Sequence, residues 1–164
     1  MKPSLDHDIE LYPPESFKTL LDHEVNRSRR YGDPLTLLHL IFETDPDNPE
    51  THHSAEVFTI NMLNLRLRDT DIPCKKDNEF LVLMPSTDEQ GGRMACERLE
   101  KLLHIEHQTY DRVSFELSSF IGMATLPGDR SISGKTLLEN ASQALQYARA
   151  KRLPNAVIFS EMNH

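Results

Sequence analysis

Apolar and polar positions along this chain switch between a helical period and short continuous runs, and the switches mark out nine elements. Phe17, Leu20, Leu21 and Val25 recur at helical spacing and predict a helix from about Glu15 to Tyr31. Pro13-Pro14 suits its first turn and Gly32 lies just past its end. Leu35 to Phe42, LTLLHLIF, is a nearly continuous apolar run and predicts a central strand buried on both faces. Thr44 to Glu56 carries turn residues and two prolines and reads as a loop. A second helix follows over about Ala55 to Leu67, with Val57, Ile60, Leu63 and Leu67 on one face. Next come a short strand, Asp71 to Lys75, and an apolar strand, Phe80 to Met84. Asp77-Asn78 between them tolerates left-handed backbone and suits a two-residue hairpin turn. Ser86, Thr87 and Asp88 are candidate N-caps for a helix from about Asp88 to Leu103, with Met94, Leu99, Leu102 and Leu103 as its buried face. A strand from Val113 to Ala124, a turn at Leu126-Pro127-Gly128-Asp129, a helix from about Lys135 to Lys151 and a strand near Pro154 to Phe159 complete the chain. That order predicts an α+β domain with a hairpin in its middle.

Length and composition narrow the class. At 164 residues the chain is expected to form one domain, with residues 1–13 as a polar lead-in. It is 38% apolar and 27% charged, with a formal net charge of -8. That acidity argues against general nucleic-acid binding, which needs a basic face, but leaves room for a small anion held by a few arginines. No apolar run approaches the roughly 20 residues of a membrane helix, and MKPSLDHDIELY has no signal-peptide core. Cys74 and Cys96 read as reduced structural residues of a cytoplasmic protein.

The hairpin carries a family likeness. Lys76-Asp77-Asn78-Glu79-Phe80, followed by an apolar strand, resembles the signature hairpin of GGDEF domains, the diguanylate cyclases that join two GTP molecules into cyclic di-GMP. Further anchors agree in order: Asp6, Leu11, Phe17 and Arg29-Arg30-Tyr31-Gly32-Asp33-Pro34-Leu35; Ala95-Cys96-Glu97-Arg98-Leu99; Phe120-Ile121-Gly122-Met123-Ala124; the stretch Leu137 to Leu145; and Pro154 to Phe159. The resemblance spans Asp6 to Phe159. It implies a central, mostly antiparallel five-stranded sheet flanked by helices, related to the nucleotidyl cyclase and ferredoxin-like folds.

The same comparison exposes departures. Of the five signature positions only Glu79 and Phe80 match; both glycines and the acid between are replaced, and the hairpin is one residue shorter. The position of the metal-binding Asp at the end of the first strand falls on Ile41, with Glu43 where a second acid often sits. The Gly-His and Gly-Asp pairs of the guanine-binding helix are missing, and Ser142 replaces an Asp. Arg149 or Lys151 stands near the lysine that contacts GTP phosphates in active members, but reads first as an ordinary basic residue at a helix end. Phosphoryl transfer depends on carboxylate-held metals, so the resemblance implies no catalytic residue, no metal ligand, no cofactor and no cyclase activity here.

What survives is Arg68-Asp69-Thr70-Asp71, an Arg-x-x-Asp four residues ahead of the hairpin. In GGDEF domains this tetrapeptide forms the inhibitory site for cyclic di-GMP, and Arg98 stands about where a second arginine completes it. An arginine fork suits phosphate or the Hoogsteen edge of guanine, and an Asp suits guanine N–H groups. The tetrapeptide reads equally as a helix-terminal arginine beside turn-forming acids, and Arg98 as a surface arginine. His39 reads as a core histidine, and His52 and His53 as part of a solvated loop. Two functions therefore stay open: a cyclic di-GMP receptor using Arg68, Asp71 and Arg98, or a protein-interaction module that no longer binds nucleotide. Either admits a protein partner, and the family resemblance admits a homodimer.

Overall fold

The computed structural model describes residues 11–45, 47–110, 112–128 and 132–162. The expectations placed on Asp6 and Asp129 lie outside them. Four helices and six strands follow one another as α1 (Pro14–Tyr31), β1 (Leu35–Glu43), α2 (Pro49–Arg66), β2 (Ile72–Lys76), β3 (Glu79–Pro85), α3 (Glu89–Leu103), β4 (Ile105–Tyr110), β5 (Val113–Leu126), α4 (Gly134–Ala150) and β6 (Val157–Ile158). A 3-10 turn, Phe159–Glu161, ends the described chain.

The sheet runs β2-β3-β1-β5-β4, all antiparallel, with β6 adding to β5 in parallel. The mostly antiparallel α+β class holds, with a sixth strand beyond the five expected. That strand, β4, is an edge strand with the polar sequence IEHQTY, so an apolar-run criterion passes over it. Only Val157 and Ile158 of the expected closing strand pair with the sheet.

β1 sits at the centre, and its side chains divide the core. Leu38, Leu40 and Phe42 point to one face, where Ala55, Phe58 and Leu63 of α2 and Ala95, Cys96, Leu99 and Leu103 of α3 cover them. Leu35 and Leu37 point to the other, under Phe17, Leu21 and Val25 of α1 and Leu137 and Ala141 of α4. Each fully buried side chain of this kind contributes roughly 1.5–3 kcal/mol. Cys74 and Cys96 are free thiols within these layers, and burial pushes them up to about 11 and about 12.

Two helices depart from expectation. Residues 49–56, expected as loop, are the first two turns of α2. Asn48 caps them by accepting from the amides of Glu50 and Thr51, and Pro49 fills the first helical position. His52 therefore lies on a helix, its ring 5.2 Å from that of Phe42. In α3, Met94 is 53% exposed, whereas Ala95 and Cys96 are buried. Elsewhere the local signals operate as anticipated. Gly32 closes α1 in the left-handed conformation (φ 73°) and donates to the Ser28 carbonyl, and Asp88 caps α3 through Gly91 N. The hairpin turns through Asp77 at φ 57°, pairing Lys76 with Glu79.

Candidate functional site

Two places can be built from these elements. The first is the hairpin end of the sheet, where Ile41 of β1 lies opposite Glu79. Alternation along β1 turns His39, Ile41 and Glu43 toward α4. His39 Nδ1 lies 2.8 Å from Ser142 Oγ, and its Nε2 lies 3.1 Å from Glu79 Oε1. A neutral ring protonated at Nε2 satisfies both contacts: Nε2–H donates to Glu79 and Nδ1 accepts from the Ser142 hydroxyl. The pKa agrees in direction, since burial holds the imidazole below its ordinary 6.5 against the opposing pull of Glu79.

Ile41 is 3% exposed and packs with Phe120, Leu145 and Ala148. Glu43, two residues on, accepts from Arg149 Nε at 3.2 Å and from Arg152 Nη1 at 2.7 Å. Partial burial pushes its carboxyl up, but the hydrogen bonds from Arg152 and Arg149 outweigh this and hold it below the usual range. The Arg152 guanidinium also lies 4.6 Å from the centre of the Phe120 ring. Arg152 had no signal in the sequence: it comes into reach because the chain takes a left-handed step there, at φ 54°.

The donor set at this end does not fit a two-metal phosphoryl site. Ile41 has no oxygen, Glu43 is held by two guanidiniums, and Glu79 is held by His39. Among the described residues no cluster of three or more His, Cys, Asp or Glu side chains could hold a cation. Beyond Glu43 a polar cavity of about 630 Å³ is lined by Glu43, Asp45, Glu116 and one arginine, Arg152. Three carboxylates against one guanidinium give the wrong sign of field for a triphosphate.

The second place lies where α2 ends and β2 begins. Arg68 and Asp71 close a tight turn, with Asp71 N donating to the Arg68 carbonyl at 3.0 Å. The Asp71 carboxylate is 1% exposed; it accepts from Arg68 N at 2.8 Å and from Arg68 Nη2 at 2.9 Å. Arg68 Nη2 also donates to the Pro85 carbonyl at 3.2 Å and to Thr87 Oγ1. The two residues of the Arg-x-x-Asp are thus bonded to each other. The Arg68 side chain is nevertheless 53% exposed, so its outer edge faces solvent.

That edge opens on a cavity of about 230 Å³ between α2 and α3, lined by Arg66, Arg68, Asp71, Met94, Arg98 and Leu99 among others. All three residues selected from the sequence line this one cavity. Arg66 and Met94 join them there. The signal for Arg66 was its position two residues before Arg68 at the helix end; Met94 was misassigned to the core, and its exposure comes from its place at the cavity rim.

Comparison with protein families matches residues 59–153, more than half the chain, to the diguanylate cyclase GGDEF domain. Comparison with curated protein sequences finds no match. Solved structures agree at the level of fold. The GGDEF domain of YfiN (TpbB) from Pseudomonas aeruginosa superposes with a TM-score of 0.82 at 17% identity, covering 95% of this chain and all of that one (100%). The GGDEF domain of DgcB from Caulobacter crescentus, in complex with c-di-GMP, gives 0.79 at 14% identity over 98% of this chain and 97% of its own. The diguanylate cyclase SiaD from Pseudomonas aeruginosa, in complex with its activator SiaC, gives 0.75 at 19% identity over 90% of this chain and 58% of its own.

Proposed function

This chain belongs to the GGDEF domain family, and from that premise we propose that it is a catalytically silent member that receives cyclic di-GMP in the arginine-lined cavity between α2 and α3. The observation that carries this reading is the convergence of Arg66, Arg68 and Arg98 on one cavity in a chain whose net charge is -8. Arg66 and Arg98 offer forked donors to phosphate and to the Hoogsteen edge of guanine, and Arg68, whose Nε and Nη2 hold Asp71, Pro85 and Thr87, adds its positive charge and its outer edge. Met94 and Leu99 offer apolar surface to the face of a base. At about 230 Å³ the cavity is below the usual range for enclosing a whole ligand, so it takes one guanine-and-phosphate half and leaves the other at the surface. A solved relative of the same fold, DgcB, was crystallised with this ligand.

Silence at the cyclase centre is supported by the three intramolecular contacts at the hairpin end. Glu79 is engaged by His39, Ile41 is packed in an apolar cluster, and Glu43 is held by its two arginines, so none of these three offers a free oxygen to a metal.

Titration calorimetry with cyclic di-GMP tests the receptor reading on the wild type and on Arg98→Ala and Arg68→Ala. Micromolar binding, weakened at least about tenfold by Arg98→Ala, is the expected result. No heat from the wild type at high ligand concentration would remove the receptor reading. Incubation with GTP and Mg²⁺ or Mn²⁺ is expected to yield no cyclic di-GMP.

One feature favours the interaction-module reading. Met94 (53% exposed) lines the same cavity from α3, and Leu65 (62% exposed) is a second large exposed apolar side chain on α2, one residue before the lining Arg66. SiaD, of the same fold, is bound by a protein activator. If this face docks a protein, Leu65→Asp abolishes partner retention while Arg98→Gln leaves it intact; a receptor loses cyclic di-GMP on Arg98→Gln and keeps it on Leu65→Asp.

A further inference from the structure

On the face of the sheet away from the arginine pocket, a separate cavity of about 400 Å³ lies between α1, the β2–β3 hairpin and the start of α4. Its interior is apolar. Phe17 and Leu21 of α1 are each 3% exposed and Cys74 of β2 is 1% exposed, while Leu81 and Leu138 form partly buried walls. Its rim is basic. Lys18, Lys76 and Lys135 come from three different elements, all are exposed, and Asp22 is the single acid among the lining residues. Among the described residues none of these three lysines makes an ion pair. In a chain with a net charge of -8, three lysines left without partners around one apolar opening need an explanation that general surface composition does not give.

We infer that this cavity binds a linear amphipathic anion, a medium-chain carboxylate whose tail enters between Phe17, Leu21, Leu81 and Leu138 and whose head group sits among Lys18, Lys76 and Lys135. The shape selects the occupant. The large exposed apolar side chains among the described residues are Tyr31, Leu65, Met94 and Tyr147, and none of them lines this cavity. A protein face therefore has no apolar rim to land on. What is apolar lies inside, behind buried side chains, where only a slender tail reaches it. The volume falls in the range of small-molecule sites. With each methylene taken at the ~30 Å³ of a water molecule, it accepts a chain on the order of ten carbons. Burying such a tail is the main favourable contribution, at roughly 0.8 kcal/mol per methylene. The lysine stems extend the apolar wall while their ammonium groups stay in water and meet the carboxylate.

Methyl NMR of the full chain titrated with sodium decanoate tests this, with decanol as the uncharged control. The expected result is saturable shifts at the Leu21, Leu81 and Leu138 methyls, with decanol binding more weakly. A combined Lys18→Gln, Lys76→Gln, Lys135→Gln variant is expected to bind decanoate about tenfold more weakly, since three exposed charges are lost. Leu138→Phe, which narrows the cavity from a partly buried wall position, is expected to abolish the shifts while the methyl spectrum elsewhere and the thermal transition stay close to wild type. Absence of saturable shifts in the wild type would overturn the inference, as would equal affinity of the lysine variant for decanoate. Shifts at the same methyls that appear on raising protein concentration without decanoate would assign the cavity to a second copy of the chain and overturn it too.

Discussion

Arg68 and Asp71 are bonded to each other through both backbone and side chain, with the Asp71 carboxylate 1% exposed and Arg68 Nη2 at 2.9 Å from its Oδ1. This makes the Arg-x-x-Asp a structural clamp as well as a ligand candidate. Arg68→Ala leaves a buried carboxylate with only the backbone amide of residue 68 among its present donors from that residue, and leaves the Pro85 carbonyl with Thr87 Oγ1 as its side-chain donor. The expected loss is about 2 kcal/mol, and Asp71→Ala, which orphans the arginine side of the clamp, is expected to cost a similar amount. Urea unfolding of both variants measures it. Arg98 is exposed and outside the clamp, so Arg98→Ala is expected to unfold within about 0.5 kcal/mol of wild type. A drop in cyclic di-GMP affinity in Arg98→Ala therefore reports on the cavity and not on the fold.

His39 gives the chain an acid-sensitive core contact. Burial lowers its folded pKa below the ordinary 6.5, so between those two values the unfolded chain holds the proton more tightly. Stability from this group is fully present above about pH 6.5 and is lost as pH falls from there toward the folded pKa. The neutral ring that bridges Ser142 and Glu79 cannot accept from the Ser142 hydroxyl once protonated. Melting temperature measured between neutral pH and pH 5 is expected to fall more steeply for wild type than for His39→Gln. Ser142→Asp, which places a carboxylate against Nδ1, is expected to raise the His39 pKa above its wild-type value by NMR titration.

The contact between β5 and α4 rests on the absence of a side chain at Gly122. A Cβ there would come within 2.2 Å of Leu145 N and 2.4 Å of the Ala141 carbonyl oxygen, both backbone atoms of α4. Gly122→Ala must therefore push the helix off the sheet, and the expected cost is about 3 kcal/mol or more. Gly32→Ala is the comparison. Its Cβ meets nothing within 4 Å, and only the left-handed backbone at φ 73° opposes it, for about 1 kcal/mol. Urea unfolding of the two variants should separate crowding from backbone strain.

The layout of the fold was legible because its strongest signals are local. The nearly continuous apolar run LTLLHLIF marked β1 as central, and Gly32, Asp88 and Asp77 marked a helix end, a cap and a turn that the structure contains. What was missed is either non-local or locally ambiguous. The polar edge strand β4 is held by pairing with β5, not by its own composition. The start of α2 was hidden because Asp, Asn and Pro signal both a loop and a helix cap, and the choice was made by Asn48 bonding the amides of Glu50 and Thr51. The arginine cavity was half legible: Arg68, Asp71 and Arg98, picked out by the family likeness, line one cavity, whereas the clamp between two of them and the exposure of Met94 depend on the folded arrangement around it. Arg152 reaches Glu43 across a large sequence separation and could not be read at all.

Restoring one acid at the cyclase position is expected to fail, and the manner of failure is informative. Ile41 is 3% exposed among Phe120, Leu145 and Ala148, so Ile41→Asp buries a carboxylate in an apolar cluster. The guanidinium that lies on the cluster's Phe120 ring, Arg152, is committed to Glu43 at 2.7 Å, and Arg149 is bonded to the same carboxylate. The new group is left without a charge partner, and the expected destabilisation is about 3 kcal/mol or more, relieved at low pH where the carboxyl is neutral. Cyclic di-GMP synthesis from GTP and Mg²⁺ is expected to be absent in this variant, as proposed for the wild type, because Glu79 remains with His39 and Glu43 with its arginines. Urea unfolding at pH 7 and pH 4.5, together with a product assay by chromatography, separates the cases. An unfolding midpoint matching wild type at pH 7 would mean that the cluster opens to solvent or to a cation, and product formation by Ile41→Asp would mean that this one side chain is what keeps the centre silent.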